Sequence, residues 1–251
     1  MEKSYKKYTN KVVLVTGSTM GIGLAMAEKF GLEDATVIIC SRKKQNLESA
    51  EASLKSKGIK VDSYVCNVNN KEERKKLLQA VEQKYKKLDV LVCNVAVNPH
   101  FGPSYDIGEK EFDKIFEVNV KNTFFTIKET LPILKNSKNP SILIISSQAG
   151  YTPFNMVGVY SISKTALFSM TKLLAQELAK FKVRVNCIAP GLINTKMSKA
   201  IIDSPDAKNN FMGRAGVPSE IAGAAVFLCS EEASFITGET ICINGGMHGR
   251  L

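Results

Sequence analysis

The 251-residue sequence predicts an α/β fold: a doubly wound parallel sheet of about seven strands with helices on both faces, in a single domain spanning residues 1–251. Three observations predict it. Apolar, β-branched runs alternate with segments of helical spacing along the whole chain. The strand-like runs are continuously apolar rather than alternating, as strands covered on both faces must be. No linker, internal repeat or low-complexity stretch divides the chain.

The elements follow in order. "KVVLVTGS" reads as a strand, and "GIGLAMAEKFG" as a helix stopped by glycine. "TVIICSR" is a strand and "KKQNLESAEASLKSKG" a polar-faced helix. "DSYVCNV" is the third strand, "KEERKKLLQAVEQKYKK" its helix and "LDVLVCNVA" the fourth strand. One long helical span covers about Gly108 to Lys135. "PSILIISS" is a strand, Tyr160 to Phe181 a helix and "VRVNCIAP" a strand. "SEIAGAAVFLCS" is a helix, and "ETICING" closes the sheet. The exception to the rhythm is about Gly191 to Pro218, polar and lysine-rich. A segment of that length inside a compact domain reads as a lid over a substrate site (about 191–218), with a plain surface excursion as the alternative.

Bulk properties exclude several classes. At 44% hydrophobic and 23% charged, the chain has material for a sizeable core, and no run reaches the length of a membrane span. The polar, basic N-terminus lacks a secretory apolar region, so the chain is not expected to be secreted. The net charge of +10 is spread over "SRKKQ", "KEERKK" and "KYKKLD" rather than gathered on one arm, which argues for solvated helix faces and against a nucleic-acid partner. The six cysteines include no CxxC pair and most sit in apolar runs; with only His100 and His248 beside them, no metal site is expected.

Two places carry chemistry. At the first, "VVLVTGSTMGIGLAMA" puts Gly17, Gly21 and Gly23 where a strand turns into a helix. Glycine allows the tight turn, and the helix N-terminus offers free N–H groups and a positive dipole end to a diphosphate. The spacing is GxxxGxG, and the βα context makes it a dinucleotide turn of Rossmann type that includes Ser18, Thr19 and Ile22. An NAD site would place a carboxylate at the end of the second strand. Here that end is Ser41, Arg42, Lys43 and Lys44, and an arginine can fork onto a 2′-phosphate, so NADPH/NADP+ is the expected cofactor. The alternative is that these cations simply begin the next helix in solvent.

At the second, Tyr160 and Lys164 stand one helical turn apart. Alone they are a surface pair. They open the helix after a strand ending "IISS", at the carboxyl edge where such sheets bind ligands, and Ser147 lies at that strand's end. A lysine cation beside the phenol is expected to lower its pKa from near 10, so that it exchanges a proton near neutral pH, while Ser147 polarises the same oxygen.

With "TGSTMGIG", "NVAVNP", "VNV", "IISS", "YSISK" and "APGLINT" in order, the sequence resembles the short-chain dehydrogenase/reductases over essentially its whole length. The resemblance implies a catalytic group of Asn119, Ser147, Tyr160 and Lys164, in which Asn119 holds a water of a proton relay and Lys164 also reaches the nicotinamide ribose. It places Pro190, Gly191, Ile193 and Thr195 of "APGLINT" along the carboxamide and diphosphate. It puts Asn94 on the adenosine side, with Asn67 and Val68 near adenine. "CNVA" departs from the family's common "NNAG", with Cys93 and Val95 as the changes, and Asn67 stands where an acidic residue is usual; its amide can still accept from an adenine amine. His100 falls in a loop near the expected substrate mouth, where a bystander role is the simpler reading.

"LVCNVAVNPHFG" and "FLCSEEASFITGETICINGG", among other stretches, look like the NADPH-dependent carbonyl (retinal) reductase branch. That implies a small-molecule carbonyl substrate, a homotetramer (or homodimer) and residence in the peroxisome or cytoplasm. Gly249-Arg250-Leu251 resembles the SKL-type address read by a peroxisomal import receptor. The main alternative is a 3-oxoacyl-thioester reductase acting on acyl carrier or CoA substrates, which lid lysines such as Lys196, Lys199 and Lys208 leave open. A non-catalytic NADP-binding sensor is the reading from another class, and it has no need for Ser147, Tyr160, Lys164 and Asn119 together.

Overall fold

The structure is a computed structural model that describes residues 6–199, 201–202 and 209–247. Seven parallel strands lie in the order β3-β2-β1-β4-β5-β6-β7. They are β1 Val12–Thr16, β2 Thr36–Ser41, β3 Val61–Val65, β4 Val90–Cys93, β5 Ser141–Ile145, β6 Arg184–Pro190 and β7 Thr240–Ile243. The order reverses between β1 and β4, whose partners include Val13↔Val90 and Val15↔Val92. This is the crevice where open α/β sheets take their ligands.

Alternate residues of a strand point to opposite faces, and both faces are covered. Val13 and Val15 of β1 pack with Met26 and Phe30 of α1 (Gly21–Leu32), Leu47 and Leu54 of α2 (Lys44–Ser56), and Ile221 and Ala225 of α7 (Pro218–Cys229). Val12 and Leu14 pack on the other side with Leu77 and Val81 of α3 (Lys71–Tyr85), Ile127 of α5 (Asn122–Leu134), and Leu167 and Leu174 of α6 (Gly158–Leu178). Each fully buried aliphatic or aromatic side chain contributes roughly 1.5–3 kcal/mol. A strand with no polar residue is therefore stable only in this two-sided setting. α3 shows how local chemistry sets the ends: the Asn70 side chain accepts from the Glu72 and Glu73 N–H groups at 2.9 and 3.2 Å, and the chain leaves the helix at Lys86 with φ 63°.

Two regions differ from the sequence expectation. The span 108–135 is not one uniform helix. α4 (Glu109–Phe116) passes through a π turn, Glu117–Lys121, before α5 begins. The connection between β6 and α7 is pinned at its stem. Gly216 N donates to Leu192 O at 2.9 Å, Asn194 N donates to Gly216 O at 2.8 Å, and Arg214 forks onto Glu220 of α7 at 3.0 and 2.6 Å. Lys208 of this connection, His248 and the Gly249-Arg250-Leu251 tail lie outside the described residues. Among the described residues no helix is long and apolar enough to cross a membrane.

Candidate active site

The turn after β1 is built from backbone. Gly17 and Gly21 have φ of 62° and 54°, a region that favours glycine. Gly23 serves close approach instead: a Cβ there would overlap the Gly17 carbonyl oxygen and lie 2.6 Å from Asn94 Nδ2. Asn94 holds the turn from below, its Nδ2 donating to Thr16 O and Gly17 O, both at 3.1 Å, and its N–H to Thr16 Oγ1 at 3.0 Å. Ser18 is fully buried, and its Oγ accepts from Cys40 N at 3.0 Å. Both side chains bond to backbone and shape the turn, and Ser18 keeps its own hydroxyl proton to donate. The first N–H groups of α1 have no helical acceptor, and no acidic residue stands in its first turn. That donor set fits a diphosphate. Thr195 lies over the same turn, its Cγ2 3.4 Å from where a Gly21 Cβ would be. Pro190 ends β6, Gly191 N donates to Ile243 O at 2.9 Å, and Ile193 is buried in a bridge with Gly216.

Beside the turn, Thr19 Oγ1 donates to Ser41 Oγ at 3.4 Å. α2 then starts with Lys43 as its N-cap residue, with no side-chain cap and no acidic residue in the first turn. Arg42 and Lys43 are exposed, and among the described residues neither pairs with a carboxylate. Helix N-termini attract anions and repel cations, so this corner lacks a negative charge. After β3, Asn67 Oδ1 closes a turn with Asn69 N at 3.2 Å and keeps one lone pair. Val68 is buried; its carbonyl accepts from Arg74 at 2.7 Å, and Arg74 forks onto Glu129 at 2.8 Å on both arms. The loop is thereby fixed to α3 and α5.

β5 delivers Ser146 and Ser147. Ser146 Oγ donates to Lys164 O at 2.7 Å, locking the strand end to α6. Ser147 Oγ accepts from Ala149 N at 3.1 Å, which leaves its own proton to donate. Tyr160 is half-buried at the start of α6, and Lys164 is only 2% exposed. Lys164 Nζ donates to Ile145 O at 3.0 Å and lies 5.5 Å from the Tyr160 ring centroid. Burial pushes the Tyr160 hydroxyl up to about 12, with a hydrogen bond to Ser147 opposing it. Burial pushes Lys164 down to about 8, with Cys187 opposing. The net shift of the phenol is thus upward, against the expected lowering: desolvation dominates both groups, and one N–H of the ammonium goes to the Ile145 carbonyl.

Asn119 sits in the π turn, completely buried. Its Oδ1 accepts from Val97 N at 2.8 Å, and its Nδ2 donates to Val97 O and to Ser163 Oγ, both at 3.0 Å. Ser163 Oγ in turn donates to Tyr160 O at 2.6 Å, and Asn119 O accepts from Thr123 Oγ1 at 2.8 Å. The side chain thereby commits both amide hydrogens and keeps one Oδ1 lone pair. It fastens the loop after β4 to the first turn of α6. Ser163 went unnoticed as a partner although it stands inside "YSISK". Gly150 was also missed: a Cβ there would lie 2.9 Å from the Lys164 backbone and 2.8 Å from the Phe168 ring. His100 Nε2 is bonded to Pro103 O at 3.0 Å within its own loop.

Comparison with known proteins places this geometry among relatives. A family model described as enoyl-(acyl carrier protein) reductase matches residues 17–248. The chain is 45% identical over 247 residues to bovine (Bos taurus) dehydrogenase/reductase SDR family member 4, covering 96% of this chain and 88% of that protein. It is 42% identical over 261 residues to tropinone reductase-like 3 of Erythroxylum coca, with 100% of each covered. Among solved structures, a short-chain dehydrogenase/reductase of Brucella melitensis titled glucose/ribitol dehydrogenase superposes with a TM-score of 0.91 at 30% identity, covering 97% of this chain and 99% of that one. A short-chain type dehydrogenase/reductase from Mycobacterium ulcerans gives 0.91 at 28%, covering 96% and 90%.

Proposed function

The chain belongs to the short-chain dehydrogenase/reductase family of nicotinamide-dependent oxidoreductases, and on that premise we propose that it reduces ketones and aldehydes, dicarbonyl or retinal-type compounds among them, to alcohols with NADPH. The observation that carries this reading is the Ser147–Tyr160–Lys164 corner. A phenol held near 12 keeps its proton at neutral pH and is set to give it to a carbonyl oxygen that is gaining charge. Ser147 donates its free proton to the same oxygen. Lys164, with its pKa near 8, is mainly cationic at neutral pH and stabilises the phenolate left behind. The bound nicotinamide supplies the hydride. The diphosphate falls to the Gly17–Gly23 turn and Thr195, and Lys164 reaches toward the nicotinamide ribose.

The NADPH preference rests on the uncompensated Arg42–Lys43 corner at the start of α2. Residues 191–218 serve as the lid, pinned at its stem and free to vary over the substrate. Exposed Phe112, Phe124 and Leu173 on α4–α6, with Phe227 and the fully exposed Phe235 near the end of the chain, support a homotetramer. The C-terminal tripeptide supports peroxisomal import. A 3-oxoacyl-thioester reductase is the second reading; the family model's acyl-carrier description and exposed Lys196 and Lys199 favour it.

The test is NADPH oxidation across ketones, α-dicarbonyls, retinal and acetoacetyl thioesters. The proposal expects turnover on the first three at least tenfold above the thioesters. A preference for thioesters would install the second reading, and equal kcat/KM with NADH would remove the cofactor assignment.

A further inference from the structure

Asn244 follows the last residue of β7, outside every group used above. Its side chain makes two kinds of bond. One kind is local: Nδ2 donates to Met247 O at 2.6 Å, and Oδ1 accepts from Gly246 N at 3.1 Å. These close the turn after the strand and need nothing else. The other crosses the fold, from Asn244 Nδ2 to Gln148 Oε1 at 2.6 Å. Gln148 is 2% exposed and immediately follows Ser147 in the short 3-10 turn Gln148–Gly150. In that turn Ala149 N donates to Ser147 Oγ and Gly150 N to Ser147 O, at 3.1 and 3.0 Å. A shift of Gln148 therefore moves the hydroxyl expected to polarise the substrate.

The same short segment touches the β6–α7 connection at two places. At its root, a Cβ on Gly191 would lie 2.7 Å from Asn244 Cα. Farther along, Met212 N donates to Gly245 O at 3.2 Å, and the Phe211 ring lies against Gly246, where a Cβ would overlap it. Three contacts thus converge on Asn244–Gly246: the start of the connection, its outer part, and the loop that bears Ser147.

We infer that Asn244 is a positioning residue for the reduction: through Gln148 it holds Ser147 at the angle the carbonyl requires, from a segment on which the lid also rests. The inference rests on the function proposed above. Asn244 touches no substrate and moves no proton, and a local turn would not require its bond to a buried glutamine of the catalytic loop.

The experiment uses the full chain and two readouts. In steady state, Asn244→Ala and Gln148→Ala are each expected to lower kcat about tenfold, the scale of one lost neutral hydrogen bond, with KM for NADPH within about twofold of wild type. The double variant is expected to lose no more than either single, because one bond is removed either way. In Asn244→Asp the Gln148 amide can turn to donate to the carboxylate while the bond to Met247 O is lost, so kcat is expected to lie between those of Asn244→Ala and wild type. Independently of turnover, hydrogen exchange at the Ala149 and Gly150 amides is expected to quicken severalfold in both alanine variants and to slow again, in part, in Asn244→Asp. Unchanged exchange at those amides, or losses that add in the double variant, overturns the inference. If Asn244→Ala does not fold, Gln148→Ala tests the same bond from its other end. A wild-type chain inert toward every carbonyl would sink the proposed function, while the exchange readout would still decide the role of Asn244.

Discussion

At the corner proposed to be catalytic, Asn119, Ser163 and Lys164 are buried, and each bonds to a named partner: Val97, the Tyr160 carbonyl and the Ile145 carbonyl. Across the sheet edge, in the connection after β6, Met197, Phe211 and Met212 are 62%, 91% and 63% exposed. On the function proposed, a corner held by these bonds needs no reorganisation of them during reaction. The connection holds apolar surface in reserve, and that surface gains by covering a ligand at about 25 cal/mol per Å². On the function proposed, one region sets the chemistry and the other sets which molecules are retained for it.

Substitutions can break that division, beginning where the effect is greatest. Tyr160→Phe removes the proton donor and is expected to lower kcat about 10³-fold. The NADPH Kd by fluorescence titration should stay within about twofold; unchanged kcat would end the proton-donor role. Lys164→Met should also cost activity heavily, and it should raise thermal stability at neutral pH. A lysine at about 8 in the fold, against about 10.4 free, carries a burial cost of about 3 kcal/mol while charged. The sign follows from the depressed value: the cost is full below pH 8 and fades as pH rises from 8 through the unfolded value. The stabilisation by methionine, read from melting curves, should therefore shrink between pH 8 and pH 10.5. Turnover by the wild type should decline above about pH 8 as the cation is lost.

Smaller effects belong to the cofactor corner and the connection. Arg42→Ala is expected to cut the NADPH-over-NADH ratio of kcat/KM about tenfold, with NADH kinetics nearly unchanged. Phe211→Ala, on the exposed side of the comparison, is expected to raise KM for large apolar ketones about threefold and to leave kcat for small ones alone. A large kcat loss in Phe211→Ala would erase the separation between the regions.

Much of this was legible in the sequence. The strands were, because a run such as "ILII" has no polar residue to put outward and must be covered twice. Ser147, Tyr160 and Lys164 were, because spacing along a strand and a helix fixes where they meet. The partners of Asn119 were not: a π turn carries no distinct residue pattern, and only the fold brings Val97 and Ser163 to that amide. Ser18 follows a glycine of the turn and Asn94 is placed on the adenosine side by the family resemblance, yet polar residues beside a tight turn are also what its orphaned backbone groups require. The pKa shifts were hidden for a similar reason. Pair spacing shows that a lysine is near a tyrosine, while the depth at which both are buried emerges only from packing.

The start of α2 has a consequence for the lifetime of the protein. α2 begins at Lys44, which pairs with Glu48 at 3.7 Å, and has no capping side chain, while among the described residues Arg42 and Lys43 pair with no carboxylate. Any anionic nucleotide that sits there acts as a late structural part, adding RT ln(1 + [L]/Kd) to the stability of the fold. The ratio of phosphorylated to unphosphorylated nucleotide in a compartment would then govern how fast the chain is cleared by proteolysis as well as how fast it turns over.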